Sequence, residues 1–187
     1  MRSFAKILMK FLKKKIENLY LIKTNTFSDI RGTFRRGFCE NTLLKKKIKF
    51  KCVQTNISEN LKRGTLRGFH YNKNLRKEPK IITCLRGEIF LSVVDLRKKS
   101  NSIIDVINIK LNSKNKNLVY VPAGCASAFL TLKNNSIVYY LMGNYYEKKN
   151  DKGFLFNSKR LKINWPIKPK IISKKDLALP EFDERKG

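Results

Sequence analysis

Short apolar runs separated by turn residues dominate the chain from residue 17 onward. The runs that predict strands cover residues 19–23, 50–57, 66–71, 80–85, 88–96, 103–111, 118–121, 127–132 and 136–142. Pairs typical of turns, such as Arg86-Gly87 and Asn134-Asn135, separate several of them. Short strands at regular spacing, without alternating helices, predict an all-β sandwich or barrel.

Three segments depart from this pattern. Residues 89–94 are apolar at both odd and even positions, so we expect one face to meet the barrel interior and the other a second sheet or subunit. In the middle of the chain only residues 40–48 have a helical pattern. The segment 165–180 carries Pro166, Pro169 and Pro180, which predicts irregular chain wrapped around the barrel.

The N-terminus has a different periodicity. Within residues 1–15, apolar side chains recur at helical spacing among lysines, at Phe4, Ile7, Leu8, Phe11 and Leu12. This spacing predicts a basic amphipathic helix, which could associate weakly with a membrane surface or pack on its own domain. The segment could also be a non-native extension ahead of a start at Met9. We expect an extension over residues 1–16, a single domain over residues 17–187, and neither a membrane span nor a signal peptide.

The charge balance is strongly basic. The chain has 42 Lys and Arg residues against 14 Asp and Glu, which gives a formal net charge of +28. Such a charge attracts polyanions, including nucleic acid and phosphorylated ligands. However, the basic residues form short lysine runs scattered among Asn and Ile, not one stripe interleaved with aromatics. This distribution favours a diffuse compositional bias, so we expect no specific nucleic-acid partner.

His70 is the only histidine, which limits the chemistry that the chain can carry. A metal site of the kind found in β-barrels needs two or three imidazoles and a carboxylate, so we expect no metal. Cys39, Cys52, Cys84 and Cys125 lack C-x-x-C spacing and indicate reduced thiols in a cytoplasmic protein. His70 is therefore either a proton carrier or an ordinary structural residue, since an imidazole titrates near physiological pH in both cases.

Several short motifs occur in a fixed order along residues 19–181. They are Asp29-Ile30-Arg31-Gly32-Thr33-Phe34, Val53-Gln54-Thr55-Asn56, Leu66-Arg67-Gly68-Phe69-His70-Tyr71, Lys80 before Arg86-Gly87-Glu88, Val94-Asp95-Leu96-Arg97, Val121-Pro122-Ala123-Gly124, Tyr140 before Asn144-Tyr145-Tyr146, Ile163-Asn164-Trp165-Pro166 and Ile172-Ser173-Lys174-Lys175-Asp176. Each motif alone is weak evidence. In this order the set resembles the dTDP-4-dehydrorhamnose 3,5-epimerase family of the cupin superfamily.

The resemblance implies a cupin jelly roll, a double-stranded β-helix, with a few short helices. It also implies a homodimer with exchanged N-terminal strands. The implied substrate is a nucleotide-diphosphate 4-keto-6-deoxyhexose, epimerised next to its ketone without a metal or organic cofactor.

The resemblance also implies roles for individual residues. His70 is similar to the general base and Asp176 to its carboxylate partner, while Lys80 would face the enolate oxygen and Tyr140 would return a proton to the opposite face. The residues that match substrate-binding positions are Arg31, Gln54, Asn56 and Arg67 at the diphosphate, Phe27 and Phe34 near the base, and Tyr146.

These roles agree with elementary chemistry. A proton next to a ketone is removable only if the developing enolate is stabilised, and a fixed cation supplies that stabilisation. A carboxylate behind a histidine sets its tautomer and stabilises the imidazolium. On residue type alone, a core tyrosine is the commoner outcome for Tyr140, Lys80 is one of many lysines, and Asp176 lies in a run typical of solvated residues.

Three positions depart from the family pattern. Ser127 stands where a second active-site histidine is usual, Leu91 where an aspartate is frequent, and Arg36 where a glutamate that reads the thymine is frequent. The alternatives are therefore a single-centre 3- or 5-epimerase acting on a different nucleotide sugar, and a non-catalytic cupin that binds a sugar nucleotide or another polyanion.

Strand periodicity raises one further question. In a regular strand His70 and Arg67 point to opposite faces. Both can line one pocket only if Gly68 marks a bulge, and otherwise Arg67 would serve a neighbouring subunit's site.

Overall fold

The computed structural model describes residues 8–183, which form thirteen strands and two short helices. The strands are β1 (Met9–Lys13), β2 (Tyr20–Thr24), β3 (Thr26–Asp29), β4 (Gly32–Arg35), β5 (Gln54–Asn60), β6 (Leu66–Asn72), β7 (Lys80–Arg86), β8 (Glu88–Asp95), β9 (Val106–Asn112), β10 (Leu118–Val121), β11 (Cys125–Thr131), β12 (Ser136–Met142) and β13 (Asp151–Gly153). The helices are α1 (Glu40–Lys45) and α2 (Lys174–Leu177).

Two antiparallel sheets form a sandwich. The six-stranded sheet has the order β1-β2-β10-β7-β12-β5, and the five-stranded sheet has the order β13-β6-β11-β8-β9. Strands distant in sequence lie side by side, as β10 does between β2 and β7, which is the crossover pattern of a jelly roll. The prediction of an all-β jelly roll with a few short helices is confirmed. The hairpin β3–β4 pairs with neither sheet.

The apolar core lies between the two sheets because each strand turns alternate side chains inward. Ile82, Leu91, Leu111 and Val119 are each no more than 1% exposed within it. The β8 run that is apolar at both parities is covered on both faces, as expected. The chain's own C-terminal segment covers part of its outer face, where Trp165 packs against Phe90 with 5.7 Å between the ring centroids.

The structure corrects two predictions near the ends of the chain. Residues 9–13 form strand β1, paired with β2, so the amphipathic helix predicted over residues 1–15 is wrong there. Residues 8, 14 and 15 are not helical either, and residues 1–7 lie outside the described residues. The C-terminal segment, predicted to be irregular, contains α2, whose N-cap is Ser173.

Candidate functional site

A bulge at Gly68 decides which side chains of β6 face the space between the sheets. Ser127 of β11 lies opposite His70 while Phe129 lies opposite Arg67, so β6 carries one extra residue. Gly68 has a φ of +103°, and a Cβ there would lie 2.6 Å from the Ser127 carbonyl oxygen. Only glycine fits this backbone. The bulge alternative is therefore correct, and Arg67 and His70 line the same cavity.

His70 lies between two carboxylates. Its Nε2 is 3.2 Å from Oδ1 of Asp176, the partner that the sequence predicts. Its Nδ1 is 3.5 Å from Oδ1 of Asp151, which lies on β13. Nδ1 is buried and has no hydrogen-bond partner, so Asp151 contacts it as a charge.

The short helix α2 holds Asp176 in place. The Ser173 hydroxyl accepts a hydrogen bond from the backbone N–H of Asp176 at 3.0 Å and thereby caps the helix. The backbone N–H of Gly68 donates to Oδ2 of the same carboxylate at 3.0 Å. The bulge that orients His70 therefore also anchors its partner.

The charges around His70 determine its protonation. Burial lowers the pKa of His70, but the carboxylates of Asp151 and Asp176 outweigh burial and raise this pKa to about 8. Burial raises the pKa of the two acids, but contacts outweigh it, with His70 and Lys175 at Asp151 and with His70 and the Gly68 backbone at Asp176. Both carboxyl pKa values therefore lie below the ordinary value. At neutral pH the resting site favours an imidazolium between two carboxylates.

Lys80 begins β7 and is only 8% exposed. Its Nζ lies 3.0 Å from Oε1 of Glu78. The other oxygen of Glu78 accepts a hydrogen bond from Nδ2 of Asn72, also at 3.0 Å. Because both carboxylate oxygens are engaged, the ammonium group is held in one position inside the cavity.

Tyr140 lies on β12, with its ring centroid 6.2 Å from that of Phe129. Burial raises the pKa of its phenol above the ordinary value. Leu91, Ser127 and Ala128 line the same cavity. Two of the three positions where the sequence departs from the family pattern, Leu91 and Ser127, thus belong to an uncharged part of the wall, whereas Arg36 does not line the cavity.

Side chains from both sheets and from the C-terminal segment enclose a cavity of about 660 Å³, a volume typical of small-molecule sites. The predicted site residues that line it are Asn56, Arg67, His70, Lys80, Tyr140, Tyr146 and Asp176. Gln54 lies beside it, donating to Oδ1 of Asn56 at 3.0 Å and accepting from the backbone N–H of Tyr146 at 3.1 Å.

The remaining predicted residues lie on the hairpin β3–β4 and do not line the cavity of their own chain. Arg31 forms an ion pair with Asp29, with Nη2 2.6 Å from Oδ2. Phe27 lies opposite Phe34, which is 65% exposed. Arg36, just after the hairpin, contacts the Cys39 sulfur at 3.9 Å.

Sequence reasoning missed three charged residues that line the cavity, Glu78, Asp151 and Lys175. Each lies in a polar, lysine-rich stretch that has the composition of a solvated loop. One signal was available, since Glu78 stands two residues before the predicted Lys80. No comparable signal marked Asp151, because β13 is only three residues long.

Residues 8–183 contain no cluster of three or more His, Cys, Asp or Glu side chains arranged to hold a metal ion. All four cysteines are free. None of the helices in this range has the length and apolar character needed to cross a membrane.

Comparisons with known proteins identify the family of the chain. The sequence matches the dTDP-4-dehydrorhamnose 3,5-epimerase family over residues 13–184. It is 31% identical to the enzyme of that name from Shigella flexneri over 177 residues, which cover 93% of this chain and 96% of the relative.

Two solved structures have the same fold. A dTDP-4-dehydrorhamnose 3,5-epimerase from Bacillus anthracis, with TDP and pyrophosphate bound, superposes with a TM-score of 0.90 at 34% identity and covers 94% of this chain and 100% of its own. ChmJ, a 3'-monoepimerase from Streptomyces bikiniensis in complex with dTDP-quinovose, superposes with a TM-score of 0.82 at 26% identity. The match covers 90% of this chain and 85% of ChmJ. The chain belongs to the dTDP-4-dehydrorhamnose 3,5-epimerase family.

Proposed function

We propose that the protein epimerises a dTDP-linked 4-keto-6-deoxyhexose by removing and returning protons at carbons next to the ketone. The observation that carries the proposal is the convergence of His70, Lys80 and Tyr140 on one cavity, with Asp176 behind the histidine. Family membership supplies the substrate class.

The proposed reaction begins with proton transfer from the sugar carbon to neutral His70. The electron pair of the C–H bond moves into the ring and produces an enolate at the ketone oxygen. Lys80 donates a hydrogen bond to that oxygen, where a fixed cation in a water-poor cavity stabilises developing charge most effectively. Asp176 stabilises the imidazolium that forms.

Inversion requires the proton to return on the opposite face of the ring. Tyr140 is the proposed donor. A phenol with a raised pKa keeps its proton in the resting site, and the strongly basic enolate carbon can still take it. Water then reprotonates the tyrosinate, and His70 releases its proton before the next turnover.

The nucleotide end of the substrate is assigned to polar residues at the mouth of the cavity. Arg67 and Asn56 line the cavity, and Gln54 lies beside them. An arginine fork binds phosphate oxygens in a bidentate manner, as a diphosphate site requires. Tyr146 is 58% exposed and offers a ring at the same mouth.

The proposed assembly is a homodimer in which the hairpin β3–β4 of one subunit completes the site of its partner. The support is that Arg31, Phe27 and Phe34 do not line their own cavity, while Ile30 at the hairpin turn is fully exposed. Exposed apolar residues at the tip of a hairpin are typical of protein contacts. The proposed location is the cytoplasm, where four free cysteines would stay reduced.

A single-centre epimerase is the second candidate. Ser127 and Leu91 make part of the wall uncharged, so the cavity offers one imidazole for two different carbons. The structural similarity to a 3'-monoepimerase is compatible with this candidate.

Incubation of the protein with a dTDP-4-keto-6-deoxyhexose in heavy water, followed by NMR, tests both candidates. Deuterium at a carbon next to the ketone, with an inverted product, is the expected result. If one centre dominates, deuterium enters one carbon at least about tenfold faster than the other, a barrier difference of about 1.4 kcal/mol. Equal entry at both carbons favours double inversion, and entry at neither carbon contradicts the proposed function.

A further inference from the structure

Asp151 reaches the site because β13 pairs with β6 beside His70. Gly153 lies opposite His70, and Asp151 lies opposite Asn72. A Cβ at Gly153 would lie 2.2 Å from the Phe69 carbonyl oxygen, so any larger residue would push β13 away. Glycine at this position therefore allows β13 to pair with β6, and the pairing places the Asp151 carboxylate beside His70.

Asp151 lies beside the imidazole nitrogen of His70 that Asp176 does not contact. Oδ1 of Asp176 is the partner of Nε2 of His70, at 3.2 Å. Nδ1 is buried without a hydrogen-bond partner, and a buried polar atom in that state requires an explanation. The nearest charge to it is Oδ1 of Asp151, at 3.5 Å. An opposite charge at that distance favours a protonated ring.

Lys175 engages the other oxygen of the same carboxylate. Its Nζ lies 2.7 Å from Oδ2 of Asp151, and its side chain is 61% exposed. A cation on the far side of a carboxylate weakens the field of that carboxylate at the histidine. The three groups therefore form a series, with Lys175 outermost, Asp151 in the middle and His70 at the cavity.

We propose that Asp151 is a positioning residue, a second carboxylate partner of His70, and that Lys175 moderates its charge. The proposal rests on the proposed function only in treating His70 as the base. In that role Asp151 stabilises the imidazolium after proton removal, together with Asp176. The same stabilisation delays the return of the neutral base, and Lys175 reduces that delay.

Other charged and titratable groups also face this cavity. They are Arg67 on β6, Glu78 and Lys80 at the start of β7, Tyr140 on β12 and Tyr146 just after it. Burial and the two carboxylates account for the protonation of His70, and Lys175 contacts one of these carboxylates directly. Removing the charge of Asp151 and removing that of Lys175 should therefore shift the pKa of His70 in opposite directions.

The test is an NMR titration of the full chain without a histidine tag. Because His70 is the only histidine, its imidazole C–H signals need no assignment and report its pKa without substrate. The proteins to compare are the wild type, Asp151→Asn, Lys175→Gln and the matched control Lys174→Gln. Lys174 is the adjacent exposed lysine on α2.

We expect Asp151→Asn to lower the His70 pKa by about one unit or more, as loss of a close opposite charge does. We expect Lys175→Gln to raise it by about 0.3 unit at low ionic strength, where an exposed charge is least screened. Lys174→Gln should leave it unchanged. A structural role for the pair would not produce shifts of opposite sign.

An unchanged His70 pKa in Asp151→Asn would overturn the proposal, as would a downward shift in Lys175→Gln. If Asp151→Asn does not fold, the exposed Lys175→Gln variant decides the question alone. The two proposals can fail separately. If the His70 pKa shifts as predicted but the protein exchanges no deuterium into a 4-keto sugar, this inference is retained and the proposed function is rejected.

Discussion

At the scale of single residues, the site is a histidine whose charge state is set by its neighbours. His70, Asp176, Lys80 and Tyr140 could be predicted because each lies in a short motif with family-like spacing. Asp151 could not, since its contact with His70 depends on a three-residue strand in a polar stretch. Such a contact comes from tertiary packing and leaves no periodic pattern.

The raised pKa of His70 predicts a specific pH dependence. Only the neutral imidazole can accept a proton, and the pKa of about 8 keeps most of it protonated at neutral pH. We expect kcat/KM to rise with pH and to reach half of its plateau near pH 8. Initial rates of solvent deuterium entry between pH 6 and 9 measure this. A plateau already reached by pH 6.5 would contradict the account.

At the scale of secondary structure, buried strands were predicted best. β10 was predicted with its observed bounds and β12 likewise, because their apolar runs fill the sandwich. The polar hairpin β3–β4 was missed because its residues are mostly exposed and carry no alternating pattern. A helix was predicted over β1 because apolar side chains at helical spacing among lysines also suit an outer strand that is partly buried.

The bulge in β6 leads to a prediction about Gly68. Replacing it with alanine places a Cβ 2.6 Å from the Ser127 carbonyl oxygen at a φ of +103°. We expect Gly68→Ala to lower the free energy of unfolding by about 1–3 kcal/mol or more, the usual cost of a strained backbone. It should also reduce activity by displacing His70. Urea denaturation with a deuterium-exchange assay measures both effects.

Gly37→Ala is the matched control for that experiment. Gly37 has no positive φ, and no atom would approach its Cβ within 4 Å. The free energy of unfolding of the Gly37→Ala protein should stay within about 0.5 kcal/mol of the wild-type value, as for ordinary surface substitutions. Equal stability of the two variants would mean that the bulge is not needed for the fold.

At the scale of the whole molecule, the hairpin carries predicted substrate residues away from its own cavity. A diffuse charge of +28 would attract a nucleotide diphosphate and does not require nucleic acid as a partner. The expectation of a homodimer comes from the family resemblance and could not come from strand periodicity, because the exposed residues on β3 and β4 have no core to face.

Exchange of the hairpin between subunits can be tested by complementation. Arg31→Ala and His70→Asn are each expected to be inactive as homodimers. In a mixed dimer, one site combines intact His70 with the hairpin of the other subunit, which carries intact Arg31. Activity should therefore reappear when differently tagged variants are co-expressed and the mixed dimer is isolated. Continued inactivity of the mixed dimer would indicate that each hairpin serves its own chain.

In the proposed reaction, His70 removes a proton next to the ketone of a bound 4-keto sugar. The most direct measurement is the rate of deuterium entry from heavy water in wild type and in His70→Asn, with dTDP binding and thermal unfolding measured to check that the variant remains folded. The account predicts a loss of at least about 100-fold, the lower range for a positioned base, with binding retained. Wild-type deuterium entry in a folded His70→Asn protein would contradict it.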